Sequence, residues 1–160
     1  MATTHPKISF TRMNPYRELP DGYRAMTALE EAVVKSGLDP LLLELVRTRV
    51  SQLNGCAFCL DMHQRDARAK GERQQRLDLL AAWREAPGYD ARERAALGLA
   101  EALTLVAGRG LAEDAWHAAE QAFEKPQLSA LVFAIASINA WNRLSIASGA
   151  LPPVREEEAS

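Results

Sequence analysis

Apolar positions along this chain recur at the three-and-four spacing of amphipathic helices, and no stretch alternates apolar and polar residues long enough to be a strand. Met26, Leu29, Val33 and Val34 mark a first helix over residues 21–36, closed by Gly37. Asp39 caps a second, with Pro40 at its first position, and Leu41, Leu42, Leu45, Val46 and Val50 carry it to Asn54-Gly55. A third starts at or near Cys56 and runs to Gly71. A fourth covers about 72–85, with Leu77, Leu79, Leu80 and Trp83, and stops before Pro87-Gly88. Asp90 and Glu93 form a capping box for a fifth, to about Ala107. A sixth covers about 112–123, and the last runs from about Pro126 to Gly149. The pattern predicts an all-α fold: a bundle of about six to seven helices in a single domain over residues 21–150. Residues 1–20, interrupted by Pro6, Pro15 and Pro20, read as an arm that packs on the body or on a neighbouring subunit. Residues 151–160 read as a polar tail.

The last helix bears on assembly. No charged residue lies between Lys125 and Arg143, and Leu128, Leu131, Val132, Phe133, Ile135, Ile138 and Trp141 point in nearly every direction around the axis. A helix apolar all round is buried on all sides, so this one is expected at the centre of the core or shared between subunits. Ser129, Ser137, Asn139 and Asn142 argue against a membrane span. Asn139, Asn142 and Arg143 need partners when buried and are expected in an interface or capping network.

Composition narrows the function classes. A chain of 160 residues builds one domain that buries roughly two-thirds of its unfolded surface. A net charge of -2 makes no electrostatic case for nucleic acid or an anionic membrane. The first fifteen residues carry no apolar segment and no cleavage signature, so no signal peptide is read and the expected compartment is the cytoplasm. Cysteines there stay reduced unless they serve redox or metal chemistry. The two cysteines sit in Cys56-Ala57-Phe58-Cys59, too close for a staple that removes much chain entropy.

Placed on a helix at about 100° per residue, Cys56, Cys59 and His63 share one face. Cys56 near the helix amino terminus, the paired thiols and a neighbouring imidazole each favour a thiolate, the reactive form of cysteine. Glu44 lies on the preceding helix. A hairpin turning at Asn54-Gly55 brings it back toward His63, giving a relay of carboxylate, imidazole and thiol. Such a dithiol suits peroxide reduction through a sulfenic acid and a disulfide. His117 and His5 read as solvated, and the run from Arg65 to Lys70 as the solvated end of its helix.

The set Glu44-x11-Cys56-x2-Cys59-x3-His63, within Glu44-Leu45-Val46-Arg47-Thr48-Arg49-Val50-Ser51-Gln52-Leu53-Asn54-Gly55-Cys56, resembles the core motif of the alkylhydroperoxidase D-like (AhpD-like) proteins of the carboxymuconolactone decarboxylase superfamily. A weaker resemblance extends to Asn139-Ala140-Trp141-Asn142-Arg143-Leu144, as in the peroxidase-related branch. The resemblance implies an all-helical homo-oligomer, a trimer or hexamer, with no bound cofactor. It implies catalytic residues Cys59 (peroxidatic), Cys56 (resolving), His63 and Glu44, a small hydroperoxide substrate, and a dithiol, thioredoxin-like or lipoyl reductant. One departure stands out: the best-known members carry a histidine between the cysteines, where this chain has Ala57-Phe58. Three rival readings remain. One is a redox-sensing or partner-binding module that uses the CxxC as a switch. Another is a decarboxylase or lactone-opening enzyme. The third is a zinc site on Cys56, Cys59 and His63 with Glu44 or His117 as fourth ligand.

Overall fold

In the computed structural model, residues 8–154 are described; His5, the rest of 1–7 and the end of the tail (155–160) lie outside that range. The fold is all-helical. Among the described residues, eight α-helices run in chain order: α1 Pro15–Glu18, α2 Pro20–Val34, α3 Pro40–Asn54, α4 Ala57–Ala69, α5 Gln74–Asp78, α6 Ala91–Thr104, α7 Glu113–Ala122 and α8 Lys125–Ser148. A small antiparallel pair, β1 Ser9–Phe10 and β2 Ala150–Leu151, joins the two ends of the described chain.

The helix limits follow local chemistry. Asp39 accepts the Leu42 backbone N–H at the start of α3, with Pro40 at the first position. Asp90 and Glu93 complete a reciprocal capping box on α6. The segment expected as one helix over about 72–85 is broken: α5 ends at Asp78 and a short 3-10 turn spans Leu80–Ala82. Its apolar residues Leu77, Leu80 and Trp83 still reach the core, each from a different turn.

The buried helix at the centre is α3. Every residue from Leu42 to Thr48 is buried, because α4, α6 and α8 surround it. Val46 and Val50 pack into the larger core with Leu99, Leu131, Ile135 and Ile138, while Leu45 joins Leu77, Leu80, Trp83 and Leu97. Within one chain α8 is buried on one side and not on the other, so it is not the fully enclosed centre of the core. Leu128, Leu131, Ile135 and Ile138 face the core, but Phe133 is 55% exposed and Ile146 is exposed too. By length and composition α8 could cross a membrane; in this fold it packs along α2, α3 and α6. Leu131 is fully buried, so Leu131→Ala removes apolar contacts and leaves a cavity. Urea unfolding is expected to show a loss of about 2–5 kcal/mol.

Residues 9–18 fold back on the body. Beyond the β1–β2 pair, the Thr11 and Arg12 backbone N–H groups donate to the carbonyls of Gly149 and Ser148, both at 3.1 Å. Gly149 ends α8 in the left-handed conformation (φ 68°), and a Cβ there would collide with Thr11. Glycine at this one position therefore both stops the helix and admits the arm.

Candidate active site

Helices α3 and α4 form the hairpin that builds the site. Gly55 takes φ 68° at the end of α3, and the Cys56 N–H donates to the Ser51 carbonyl at 3.1 Å. The turn is buttoned to α8: Asn54 Nδ2 donates to Asn139 Oδ1 and Asn142 Oδ1, both at 2.9 Å, and Asn142 Nδ2 donates to Ser51 Oγ at 3.1 Å. Asn139 and Asn142 are thus partnered, in a network that holds the turn before the first cysteine.

Cys56 is the N-cap of α4, with extended backbone, and its sulfur accepts the Cys59 N–H at 3.4 Å. Cys56 therefore does not share the helical face of Cys59 and His63 as the spacing suggested. Its sulfur instead turns onto Cys59, to which it is bonded as a disulfide, with the Cα atoms 5.4 Å apart. Both cysteines are only 2% exposed. Cys59 and His63, four residues apart on α4, remain on one face.

His63 is oriented from α3. Its Nδ1 lies 2.8 Å from Glu44 Oε2. A carboxylate at Nδ1 places the proton on that nitrogen and leaves Nε2 for exchange. The other oxygen of Glu44 accepts from Lys70 Nζ at 3.0 Å and from Arg47 at 3.3 Å. Arg47 also donates to Glu30 Oε2 at 2.6 Å, and Ser137 Oγ donates to the second oxygen of Glu30. Burial pushes the Glu44 carboxyl pKa up, but the His63 hydrogen bond and charge, with Arg47 and Lys70, outweigh it and bring it down to about 2. Glu44 is thus a fixed negative charge at neutral pH, able to support an imidazolium on His63 but not to donate a proton itself.

Three features of this network escape the sequence pattern. Arg47 is only 6% exposed in the middle of α3, where a charged residue suggests a solvated face. Lys70, read as part of a solvated helix end, reaches back to Glu44. Glu30 comes from α2, which carries none of the motif.

Cys59, His63 and Glu44 all line one cavity of about 850 Å³; Cys56 does not. Four rings form a continuous wall. Phe10 and Tyr16 are 5.5 Å apart between centroids, Tyr16 and Tyr23 4.1 Å, and Tyr23 and Trp141 5.6 Å. Two of these rings come from the arm, which sequence reading left without a role.

The zinc reading lacks its fourth ligand: the two sulfurs lie against each other and Cys56 stands outside the cavity that Glu44 and His63 line. His117 lies on the exposed face of α7, near Glu113 and Glu120. Ligand atoms of Glu44, His63 and Asp66 do fall within 4.8 Å of one another. Arg47 and Lys70, already on Glu44, oppose any cation there.

A helical bundle that carries a CxxC at a helix start, with an imidazole and a carboxylate beneath it, defines an AhpD-like protein. The chain belongs to the carboxymuconolactone decarboxylase family, which it matches over residues 20–102. It is 41% identical over 138 residues to the uncharacterized protein YdfG of Bacillus subtilis, covering 86% of this chain and 94% of that protein. Among solved structures it resembles an Agrobacterium tumefaciens protein of unknown function, described with AhpD antioxidant defence in view. That match has a TM-score of 0.87 and 37% identity, covering 91% of this chain and 99% of the other. An uncharacterized peroxidase-related protein of Ralstonia eutropha with an AhpD core shares the fold at a TM-score of 0.75 and 22% identity, covering 86% of this chain and 74% of the other. Fold and family support an antioxidant or peroxidase-related role.

Proposed function

We propose that this protein is a thiol-dependent peroxidase that reduces hydrogen peroxide or organic hydroperoxides through a Cys56–Cys59 dithiol/disulfide cycle. The observation that carries the reading is Cys59 lining the same cavity as a His63 whose Nδ1 is held by an ionised Glu44. The Cys59 thiolate attacks one oxygen of the O–O bond. That bond breaks, Cys59 becomes a sulfenic acid, and the departing alkoxide takes a proton from His63. Cys56 then attacks the Cys59 sulfur, the hydroxide leaves as water with a proton, and the disulfide forms.

A dithiol donor, thioredoxin-like or lipoyl, returns the enzyme to the reduced state in a reducing cytoplasm. Cys59 faces the cavity, so the donor thiolate attacks there and Cys56 leaves as thiolate. The Cys59 N–H that points at Cys56 Sγ stabilises that leaving group, as the positive end of the α4 dipole does. The proposal includes assembly as a trimer or hexamer, in which a second copy would cover the exposed Phe133 side of α8.

The test is a thiol count with intact mass on reduced protein, before and after one equivalent of hydroperoxide. Loss of both thiols with a mass decrease of about 2 Da is the expected result. Two thiols left unreacted would remove the peroxidase reading.

A further inference from the structure

The cavity above Cys59 is far larger than hydrogen peroxide requires. It holds about 850 Å³. A water occupies ~30 Å³ of liquid and hydrogen peroxide on the order of two waters, whereas pockets of several hundred Å³ suit molecules of drug size. The lining matches that size. Phe10, Tyr16, Tyr23 and Trp141 present their connected rings, and Phe58, the residue just before Cys59, adds a fifth. Aromatic walls favour an aromatic guest, which stacks or packs edge to face on them.

Charge narrows the guest further. Among the described residues that line the cavity, the arginines are Arg47 and Arg65. Arg47 is held by Glu30 and Glu44, and Arg65 lies against Asp66. Glu30, Glu44, Asp61 and Asp66 line the cavity as well, so carboxylates outnumber the arginines and an uncharged guest is favoured over an anionic one. Burial also raises the Tyr16 phenol above its ordinary pKa, which keeps that wall uncharged.

The arm closes the wall. Tyr16 stands on α1, started by the Asn14 side chain accepting the Tyr16 N–H at 3.1 Å, and Phe10 stands on β1. Both are tied to the carboxyl end of α8 through the β1–β2 pair and the Thr11 and Arg12 bonds. Tyr16 touches both Phe10 and Tyr23, so it is the middle ring of the wall.

We infer that the cavity selects neutral hydroperoxides that carry an aromatic group, and that Tyr16 sets this preference. The ring lies against Phe10, Tyr16, Tyr23 and Trp141 while the –OOH group reaches Cys59. The inference rests on the peroxidase reading for its chemistry and names the substrate class for that same site. The reaction is the one above: the arylalkyl hydroperoxide loses one oxygen to Cys59, leaves as the arylalkyl alcohol after taking a proton from His63, and the dithiol supplies both electrons.

The experiment compares kcat/KM for cumene hydroperoxide, tert-butyl hydroperoxide and hydrogen peroxide, with dihydrolipoamide as donor. tert-Butyl hydroperoxide supplies bulk without a ring. The ratio of cumene to tert-butyl hydroperoxide is expected to be about tenfold or more, to fall about tenfold in Tyr16→Ala through KM, and to return in Tyr16→Phe. Equal kcat/KM for the three would overturn the aromatic preference and leave the peroxidase standing. In parallel, binding of the product alcohol 2-phenylpropan-2-ol to oxidised wild type and Tyr16→Ala is measured by calorimetry, which needs no turnover. Binding that Tyr16→Ala weakens supports the aromatic site even where no hydroperoxide is consumed, an outcome that sinks the peroxidase reading alone. Failure of the alcohol to bind wild type overturns the aromatic site.

Discussion

Cys59→Ser is expected to abolish hydroperoxide turnover, to below the rate of the uncatalysed donor reaction, while the protein stays folded. Cys59 is the sulfur that lines the cavity, on the same face of α4 as His63, which is the proton donor of the proposed reaction. A serine hydroxyl in the same place does not ionise near neutral pH and cannot be oxidised to a sulfenic acid. Cys56→Ser is expected to behave differently. Cys56 lies at the N-cap of α4, a position serine fills well, so the helix start is preserved. That variant should consume about one equivalent of hydroperoxide and stop at a Cys59 sulfenic acid, which a dimedone adduct in the intact mass would report. Stopped-flow traces and intact mass on both variants separate the roles. Full turnover by the Cys59 variant would overturn the assignment.

Glu44→Gln is the change expected to cost both activity and stability. Glu44 is 4% exposed and its two oxygens serve His63, Lys70 and Arg47. Glutamine keeps the shape but removes the charge that three potential cations face, and leaves Arg47 with Glu30 alone. A carboxyl pKa lowered from 4.5 to about 2 corresponds to about 3 kcal/mol of stability near neutral pH. Because the folded value lies below the unfolded one, that stabilisation is complete above pH 4.5 and is lost as pH falls toward about 2. The gap between wild type and Glu44→Gln in urea unfolding should therefore be about 3 kcal/mol near pH 7 and less than half of that by about pH 3. On activity, loss of the group that orients His63 should lower kcat/KM by about 10²-fold, with both thiols still countable. A gap that does not change with pH would mean that Glu44 is not the ionised partner of His63.

Much of the local architecture was legible in the residues because its causes are local. Asp39-Pro40, Asn54-Gly55 and the Asp90–Glu93 box act within one turn of chain, and each starts or stops its helix where expected. Cys59 and His63 share a face because they are four residues apart on one helix, and Glu44 reaches His63 because α3 and α4 turn back at Gly55. What was not legible depends on partners distant along the chain. Arg47 breaks the apolar pattern of α3, yet it is buried because Glu30 arrives from α2 to meet it. Lys70 ends a helix as a solvated lysine would, and only the hairpin brings Glu44 within its reach. Cys56 fits the helical spacing, but a side chain that caps a helix stands outside its wheel. The aromatic wall gathers rings from β1, α1, α2 and α8, none of which shows a period that would announce the other three.

The seam between Ser9–Phe10 and Ala150–Leu151 carries a consequence for how the protein is made. Thr11 and Gly149 meet across 138 positions of sequence, so the seam forms only after nearly all of the described chain has been made. Until the seam closes, the β-pair and the Thr11 and Arg12 bonds that hold Phe10 and Tyr16 over the cavity are absent. A chain with the seam open would present this cavity with two of its four wall rings unfastened, so the wall is completed only when the two described ends of the chain meet.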